Sequence, residues 1–398
     1  MNSEYEEAIT VRAKEGWSAD GTEFQITQHK TAVITTSKLI PYDLTPVNGP
    51  RQGRMRDVGF QEIDLETGLL LYQWSWSDHW NITDVNQFPI ANEGRPDTPW
   101  DPFHINSVHK DDAGNFLVSS RHTNTVGYVD GHSGTFIWKL GGKRNDFKDL
   151  SEGAATGISM QHHARFLKDN SALTLFDNAV SDETLYSQSK GMIIDIDVQA
   201  MTAKVRIEYL SPHKLGSESR GSMQVLDNDH VLMGWGINAG WSEFSREGDL
   251  LCDVHFGPES GFGTEEVFSY RVFKRDWIGR PKSPPSIVRQ EENIYVSWNG
   301  ATEVAAWALL AGEADTSDYI PLATVSREGF ETRLPIPKNL STPSLRAVGL
   351  DCYGNALAFS SILDLVEPVG QTVQAAMIIR DQDEINRKVG PIFPSREQ

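Results

Sequence analysis

Cysteine is scarce in this sequence, and long apolar runs are missing from it. The only two cysteines, Cys252 and Cys352, stand far apart. Two isolated cysteines have no metal-type spacing, so a cysteine-based zinc site is excluded, while one disulfide and two reduced thiols both stay open. No segment reaches the run of about 18 apolar residues that a bilayer requires, so no transmembrane helix is predicted.

Positive charge is also in short supply. The chain has 36 Lys and Arg against 55 Asp and Glu, a formal net charge of −19. Nucleic acids and anionic membranes bind basic surfaces, so neither is predicted as a partner. An anionic small molecule stays compatible with this charge, because a few arginines in a cleft create a local positive field. The first residues, Met1–Glu7, are acidic where a signal peptide is basic and then apolar, which favours a cytoplasmic location for the chain as written.

Residues 1–280 contain four repeated units. Each unit has a polar strand, an apolar second strand, and then a third and a fourth strand. The predicted second strands are Thr31–Thr36, Asn115–Ser120, Ala172–Phe176 and His230–Trp235. Three units carry a turn before the last strand with a glycine, at Gly68, Gly134 or Gly248, that can supply positive φ. Four short strands per unit are typical of β-propeller blades, so an all-β propeller is predicted. Two further stretches are predicted to supply parts of other blades: Ala8–Val11 and Phe268–Phe273.

The rest of the chain has a different pattern. A proline-rich linker at Gly279–Pro285 marks a boundary. Beyond it, five predicted strands at a spacing of roughly 10 residues favour a small fibronectin-III-like β-sandwich over residues 286–362. The tail, residues 363–398, is predicted to be peripheral and to contain one helix near Val373–Arg387.

Candidate site residues lie at the starts of inner strands. Residues two apart in a strand share one face, so His104 and Asn106 are predicted to point together into the propeller channel. Arg121 ends the next strand of the same unit. Aligning the third unit on the second puts His162 level with Asn106 and turns His163 the other way. Taken singly, such a histidine is more often a turn residue, and such an arginine is more often part of a surface ion pair. The functional interpretation of these four residues therefore depends on the propeller fold.

These residue types suit the transfer of an anionic group. A neutral imidazole is a nucleophile towards phosphoryl and sulfuryl groups. Sulfuryl transfer spreads negative charge over non-bridging oxygens, and an arginine fork, a second histidine and an asparagine amide are suitable donors to them. Nucleotide-binding glycine loops and the Gly-x-Ser-x-Gly elbow do not occur in a credible context, and no cofactor or metal is predicted. His122 and His132 are interpreted as turn residues.

Six ordered segments resemble the fungal arylsulfotransferase-like proteins: Asp101–Val108, Ser119–Thr123, Ile137–Lys143, Gln161–Phe166, Leu175–Asn178 and Val296–Val304. The resemblance covers roughly residues 5–362. It implies a β-propeller enzyme that moves a sulfuryl group between phenolic compounds by a ping-pong route through a sulfo-histidine, without a nucleotide sulfate donor. Carried over by position, the nucleophile is His162, and the sulfuryl-binding groups are His104, Asn106 and Arg121. The implied partner is an aromatic or phenolic small molecule, and no cofactor is implied.

Two departures from the family pattern keep other functions open. Family members carry an upstream His-Gly element that has no counterpart in this sequence. Their Asp-Leu-His-Glu-Phe segment reads Asp20-Gly-Thr22-Glu-Phe24, with threonine in place of histidine. The alternative is a secondary-metabolite enzyme on the same propeller, such as a cyclase or pericyclase, in which Arg121 and the histidines activate the substrate by hydrogen bonds. A non-catalytic binding propeller is the third interpretation.

Overall fold

A computed structural model describes residues 1–86, 93–167, 170–180, 188–313, 319–336 and 344–365. The chain divides into two compact units, one of Val11–Lys274 and the other of Met1–Thr10 together with the chain from Arg275 onward. The helix predicted near Val373–Arg387 and most of the predicted tail lie outside the described residues. The predicted bounds of the propeller and of the sandwich stay predictions.

Four antiparallel sheets follow one another along the first unit, and in each the strands pair in chain order. The first sheet has β1 (Ser18–Ile26), β2 (Thr31–Tyr42), β3 (Gly53–Asp64) and β4 (Leu70–Ser75), and the second has β5 (Ile105–Lys110), β6 (Phe116–Ser120), β7 (Thr125–Val129) and β8 (Phe136–Leu140). The third has β9 (Lys148–Asp149), β10 (His162–Phe166), β11 (Ala172–Asp177), β12 (Lys190–Asp197) and β13 (Thr202–Leu210), and the fourth has β14 (Ser222–Val225), β15 (Val231–Gly234), β16 (Gly240–Phe244) and β17 (Leu250–His255). Strand β9 is the exception to chain order, because it pairs with β13 in parallel at the outer edge. Short 3-10 turns occupy Thr45–Val47, Trp76–Asp78, Ile82–Asp84 and Glu259–Gly261.

The hairpins that end the first three sheets share one construction. Asp64 and Asp130 each accept the backbone N–H of the residue three positions on, at 2.7 and 2.6 Å. The chain then turns through positive φ at Gly68 and Gly134, where a glycine was predicted. In the third sheet Met201 adopts the positive φ in place of glycine. The repeat therefore lies in the turn geometry more than in the residue that occupies it.

Aromatic and aliphatic side chains fill the space between successive sheets. Ring contacts across the three interfaces are Phe60–Phe116, Trp138–Phe166 and Phe176–Trp235. Strand β5 lies against both β1 and β10, and β10 lies against β14. Strands β1, β5, β10 and β14, each at the edge of its sheet, are therefore neighbours in chain order, which is the relation of inner strands in adjacent blades.

The all-β prediction is confirmed. Three of the four sheets have the four strands of a blade, and the third has β9 as an additional edge strand. Closure of these sheets into a propeller stays a prediction. Neither Ala8–Val11 nor Phe268–Phe273 forms a strand, so the prediction that they supply parts of further blades is wrong. The second stretch instead runs without regular structure beside β14, where the N–H of Val272 donates to Ser222 Oγ at 2.9 Å.

The second unit contains two sheets that share one core. Its strands are β18 (Ser286–Gln290), β19 (Asn293–Ser297), β20 (Ala306–Gly312), β21 (Ile320–Ser326), β22 (Glu331–Pro335), β23 (Ser344–Leu350), β24 (Ala356–Phe359) and β25 (Leu363–Asp364). Strands β18, β19 and β22 form one sheet and the other five form the second. Ile294 and Val296 of the first sheet pack in one buried cluster with Trp307 and Leu309 of the second. All five strands predicted in this region are present, and the fibronectin-III-like topology stays a prediction.

Both cysteines are free thiols on the surface. Cys252 lies on β17 and Cys352 in the turn between β23 and β24, and both are exposed. Of the two alternatives that the sequence left open, the structure contains the unpaired thiols. None of the described residues forms a helix with the length and apolar character needed to cross a membrane.

Candidate functional site

The candidate site begins where the chain enters β5. His104 lies one residue before this strand, with a positive φ of 51°. Asp101 holds it there, because the backbone N–H of His104 donates to Oδ1 at 3.0 Å and ring Nδ1 donates to Oδ2 at 2.7 Å. Burial opposes ionisation of Asp101, but the hydrogen bond and charge of His104 outweigh it, so the pKa of that carboxyl lies below its usual value. The side chain of His104 is 37% exposed, which leaves its ring accessible to a ligand.

His122 stacks on His104 and connects it to Arg121. The two imidazole centres are 4.9 Å apart, and the rings are inclined by 30°. His122 Nδ1–H donates to the carbonyl oxygen of Asp101 at 2.7 Å, and Nε2 accepts from Arg121 Nη1 at 2.9 Å. Burial, reinforced by the charge of His104, lowers the pKa of His122 to about 4. This imidazole is therefore neutral near pH 7, and its two bonds fix its tautomer.

Arg121 is bonded to neutral acceptors. Besides His122, its guanidinium donates through Nη2 to the carbonyl oxygen of Glu218 at 3.0 Å. Its buried Nε has no partner among the described residues, and no described carboxylate lies within 4.0 Å of the guanidinium. Burial lowers the pKa of Arg121, yet an arginine keeps its charge. The site thus contains a largely buried positive charge that no described counter-ion contacts.

His162 begins β10, and both of its ring nitrogens are bonded. Nδ1–H donates to Oδ1 of Asn178 at 2.7 Å, and Nε2 accepts the backbone N–H of Arg220 at 3.2 Å. The amide of Asn178 donates in turn to the carbonyl oxygens of Ser217 and Arg220, at 2.8 and 3.0 Å, which fixes its orientation. Only 2% of His162 is exposed. Burial lowers the pKa of His162 to about 3, and the positive charge of Arg121 lowers it further, whereas the hydrogen bond that the ring donates to Asn178 raises it.

Asn106 links the second sheet to the third. Its Nδ2 donates to the carbonyl oxygen of Gln161 at 2.6 Å, while its buried Oδ1 has no partner among the described residues. Its own carbonyl oxygen accepts from Arg271 Nη2 at 2.6 Å. The pairing of β5 with β6 shifts between Ile105 and Ser107, so Asn106 occupies a bulge.

A buried ion network lies next to Asn106. Glu23, on β1, is 4% exposed and accepts from Arg165 Nη2 at 2.6 Å and from Arg271 Nη1 at 2.7 Å. Burial favours the protonated form of Glu23, but the two arginines outweigh it and hold its pKa below the usual value. Tyr270 precedes Arg271, and its buried hydroxyl has no partner within the described part of the chain. Burial raises the pKa of Tyr270 to about 12.

The Arylsulfotransferase (ASST) family model matches residues 1–257, which is more than half of the chain. The chain belongs to the arylsulfotransferase family. The resemblance that the six sequence segments indicate is therefore confirmed at the level of the family, and the fungal branch stays a prediction. No curated protein matches the sequence. The matched residues include the whole site described above except Tyr270 and Arg271.

Solved structures are only distantly similar to this arylsulfotransferase family member. The periplasmic gluconolactonase PpgL of Pseudomonas aeruginosa is 10% identical, with 84% of this chain and 82% of that one covered and a TM-score of 0.32. Virginiamycin B lyase from Staphylococcus aureus is 11% identical, with 82% and 90% covered and a TM-score of 0.31. The calcium-binding protein regucalcin from Agrobacterium tumefaciens is also 11% identical, with 71% and 81% covered and a TM-score of 0.31. Likenesses this weak carry no argument about function.

The arylsulfotransferase-family unit brings the predicted residues into one electrostatic neighbourhood. The charges of Arg121 and His104 both lower the pKa of His162. Asn106 bonds to the residue directly before His162. Strand alternation does not apply to His104 and Asn106, because His104 precedes β5 at positive φ and Asn106 lies at a bulge, so their common direction stays a prediction. His163 bonds elsewhere, to the backbone of β14 at 3.0 Å.

Sequence reasoning missed four members of this site. Asp101 and Asn178 stand inside segments that carry the family resemblance, so asking which side chains could orient the two histidines would have found them. His122 lies in a turn, as predicted, but it also contacts Arg121. Tyr270 lies in Phe268–Phe273, which was predicted as part of a further blade and forms no strand, so the sequence did not place it near the other site residues.

Proposed function

We propose that this chain transfers a sulfuryl group between phenolic compounds, with His162 as the nucleophile and Arg121 as the main anion-binding residue. Membership of the arylsulfotransferase family supports the reaction class. The observation that carries the proposal is the guanidinium of Arg121, which bonds to an imidazole and a carbonyl oxygen and contacts no carboxylate among the described residues.

A sulfuryl group supplies the counter-charge that Arg121 lacks. Charge spread over the non-bridging oxygens of such a group is stabilised most by donors that are already fixed in a poorly solvated place. Two donors near Arg121 have no partner among the described residues, its own Nε–H and the hydroxyl of Tyr270. His104 adds an accessible ring beside them. No hydrogen bond between these three donors would have to break before they bond to the sulfuryl oxygens.

His162 has the protonation state that a nucleophile needs. Its Nδ1–H donates to Asn178, so the lone pair is at Nε2, and a pKa of about 3 keeps the ring neutral at physiological pH. In the first half-reaction this lone pair attacks sulfur, the bond from sulfur to the aryl oxygen breaks, and the phenolate leaves with that electron pair. The N–H of Arg220 must leave Nε2 for this to happen, and it is then available to a sulfuryl oxygen.

The second half-reaction returns the sulfuryl group to a phenol. The acceptor oxygen attacks sulfur, the bond from sulfur to Nε2 of His162 breaks, and its electron pair returns to the imidazole. The acceptor's proton passes to solvent water as the new bond forms, and the exposed ring of His104, held at Nδ1 by Asp101, can bond to the acceptor. The imidazole of His162 thereby ends in its starting tautomer, with its proton on Nδ1.

The test uses 4-nitrophenyl sulfate as donor and phenol as acceptor. We expect the wild type to release 4-nitrophenol faster when phenol is present. We expect Arg121→Met to lower kcat/KM by about 10²–10³-fold, the usual effect of removing a fixed charge-stabilising donor. Arg246→Met is the matched control, because Arg246 pairs with Asp229 at an exposed position. Absence of release by the wild type, or equal rates for wild type and Arg121→Met, contradicts the proposal.

Asn178→Asp tests whether Asn178 positions and neutralises His162. A carboxylate in contact with the imidazole favours the charged ring, so the pKa of His162 should rise by about 1–3 units from its low value. Only the neutral ring is a nucleophile. As the pH is lowered, kcat/KM should therefore begin to fall at a higher pH in this variant than in the wild type. The pH profile of kcat/KM measures this shift. Asn178→Ala is the control. It is expected to slow the reaction without raising the pH at which kcat/KM begins to fall.

A second candidate function rests on the burial of His162. Its Nε2 is occupied by a backbone N–H, and the ring is 2% exposed, whereas His104 is accessible. This arrangement favours a reaction without a covalent step, in which Arg121 and His104 activate an aromatic substrate by hydrogen bonds, as in a cyclase of secondary metabolism. Incubation with 4-nitrophenyl sulfate alone separates the two candidates. A sulfuryl adduct on His162 by mass spectrometry supports transfer, and its absence together with Arg121-dependent binding of a phenol supports the second candidate.

We also propose that the four sheets close as a β-propeller and that the second unit is fibronectin-III-like. The contacts of β5 with β1 and β10, and of β10 with β14, support the first part. Arg271 supports it further, because it follows the fourth sheet in sequence and bonds to Glu23 of the first sheet and Asn106 of the second. Such closure brings donors from different sheets to one end of the channel, where the proposed chemistry needs them.

A further inference from the structure

A second histidine cluster lies on the fourth sheet. Asp253 and His255 stand two apart on β17, and His213 comes from the loop before β14. Nε2 of His213 is 2.8 Å and Nε2 of His255 is 3.4 Å from one atom, Oδ2 of Asp253. The two imidazole centres are 4.9 Å apart at an interplanar angle of 63°. Two rings therefore aim the same nitrogen at one carboxylate oxygen.

Buried residues fix the direction of the Asp253 carboxylate. Its Oδ1 accepts from Ser242 Oγ at 2.5 Å, and Ser242 Oγ accepts from Trp235 Nε1 at 2.8 Å. Ser242 has no exposed surface and Trp235 is 2% exposed. Phe262 packs against the ring of His255, with centres 4.8 Å apart. Outer hydrogen bonds and packing of this kind orient the ligands of a metal ion.

We propose that His213, Asp253 and His255 bind a Zn²⁺ ion through Nε2, Oδ2 and Nε2. Ligand atoms about 2.0–2.1 Å from a tetrahedral zinc lie about 3.3 Å from one another. The observed separations of 2.8 and 3.4 Å bracket that value, and all three ligand atoms lie within 4.8 Å of each other. Two imidazoles and one carboxylate favour zinc over Ca²⁺ or Mg²⁺, which prefer oxygen ligands.

The three proposed ligands are partly exposed to solvent. The three side chains are 22–33% exposed, so an ion reaches them without any change in the fold. None of the three belongs to the residues proposed for sulfuryl transfer, so the zinc-site proposal does not depend on the proposed function. A bound ion connects the loop of His213 to β17, and ions that bind only the folded state raise its stability by mass action.

The other cluster of this composition, at Asp101, His104 and His122, does not fit an ion. Its potential ligand atoms also lie within 4.8 Å of one another. However, His122 uses Nδ1 for the carbonyl oxygen of Asp101 and Nε2 for the guanidinium of Arg121. A divalent cation placed there would meet the charge of Arg121, whereas no guanidinium bonds to the His213 cluster in the described structure.

The experiment titrates chelator-treated full-length protein with Zn²⁺ alone, in competition with a chromophoric chelator. We expect one tight site per chain, and a higher melting temperature with Zn²⁺ than without it. His213→Ala and His255→Ala should each weaken binding more than 100-fold. Ser242→Ala should weaken it by about 10–100-fold, the usual effect of losing an outer-shell bond. Co²⁺ in place of Zn²⁺ should give the visible absorption of a four- or five-coordinate site.

Two control variants and a melting temperature measured without metal accompany the titration. His230→Ala removes a histidine of the same sheet that pairs with Glu243, and Cys252→Ser removes the nearby thiol, and neither should change binding. Each variant is compared without metal by its melting temperature, so a folding defect is separated from a lost ligand. The proposal is overturned by no Zn²⁺ binding to the wild type, by unchanged affinity in both alanine variants, or by loss of binding in His104→Ala alone.

Discussion

Replacing His162 with glutamine is expected to abolish sulfuryl transfer, with kcat lowered by about 10⁴-fold or more. The reason is that no covalent intermediate can form on an amide, and the fixed donors around Arg121 then retain only their binding contribution. Glutamine is chosen because it can still bond to Asn178 and Arg220, whose polar groups alanine would leave unpaired at a cost of about 1–3 kcal/mol each. Stopped-flow release of 4-nitrophenol from its sulfate measures the loss.

The matched control for this variant is His163→Gln. His163 is the adjacent residue, is equally buried and bonds to the backbone of β14 instead of to Asn178. A melting curve confirms that each variant is folded, and mass spectrometry after incubation with the donor should detect an adduct in the control and none in His162→Gln. Wild-type turnover by His162→Gln would remove His162 from the mechanism and leave the non-covalent candidate.

Replacing Glu23 with glutamine is expected to lower the free energy of unfolding by about 3–5 kcal/mol. The variant leaves the guanidinium groups of Arg165 and Arg271 without their carboxylate, and their side chains are only 18% and 8% exposed. An uncompensated buried cation costs far more than a lost surface ion pair. Denaturant unfolding measures the change, and Asp229→Asn in the exposed pair with Arg246 should change the free energy of unfolding by no more than about 0.5 kcal/mol.

The pH dependence of stability gives a second measurement on the same variant. The two arginines lower the pKa of Glu23 below its ordinary value of 4.5 despite its burial. The stability from this carboxylate is therefore present above about pH 4.5 and is lost as pH falls through the lowered folded-state pKa. The wild type should lose this contribution on acidification, whereas Glu23→Gln should not. Parallel stability curves for the two proteins would contradict the role given to the network.

The fold was predictable to the extent that it is periodic. Apolar character identified the second strand of each unit, and β2, β6, β11 and β15 lie over those predictions. The hairpin turns were predictable from Gly68 and Gly134, but Met201 shows that the third sheet makes its turn without glycine. Phe268–Phe273 has the apolar alternation of a strand and forms none, because its partners along β14 are side chains such as Ser222 rather than a backbone ladder.

The candidate site was predictable only in its composition. Strand alternation and the alignment of the repeated units selected His104, Asn106, Arg121 and His162, and the family segments indicated the same four residues. Strand alternation does not orient His104 and Asn106, because residues at positive φ and at bulges do not follow the two-residue period of a strand. Tyr270 and Arg220 come from irregular segments, and only three-dimensional packing brings such residues to a site.

The bond between Glu23 and Arg271 joins residues separated by 248 positions. During synthesis the first sheet therefore emerges long before Arg271, and Arg165 is the only one of the two buried cations available to Glu23 until nearly the whole unit has left the ribosome. A contact of such high sequence separation is formed slowly and late. Nascent chains that stop short of Arg271 should accordingly be more open and more protease-sensitive than chains that include it.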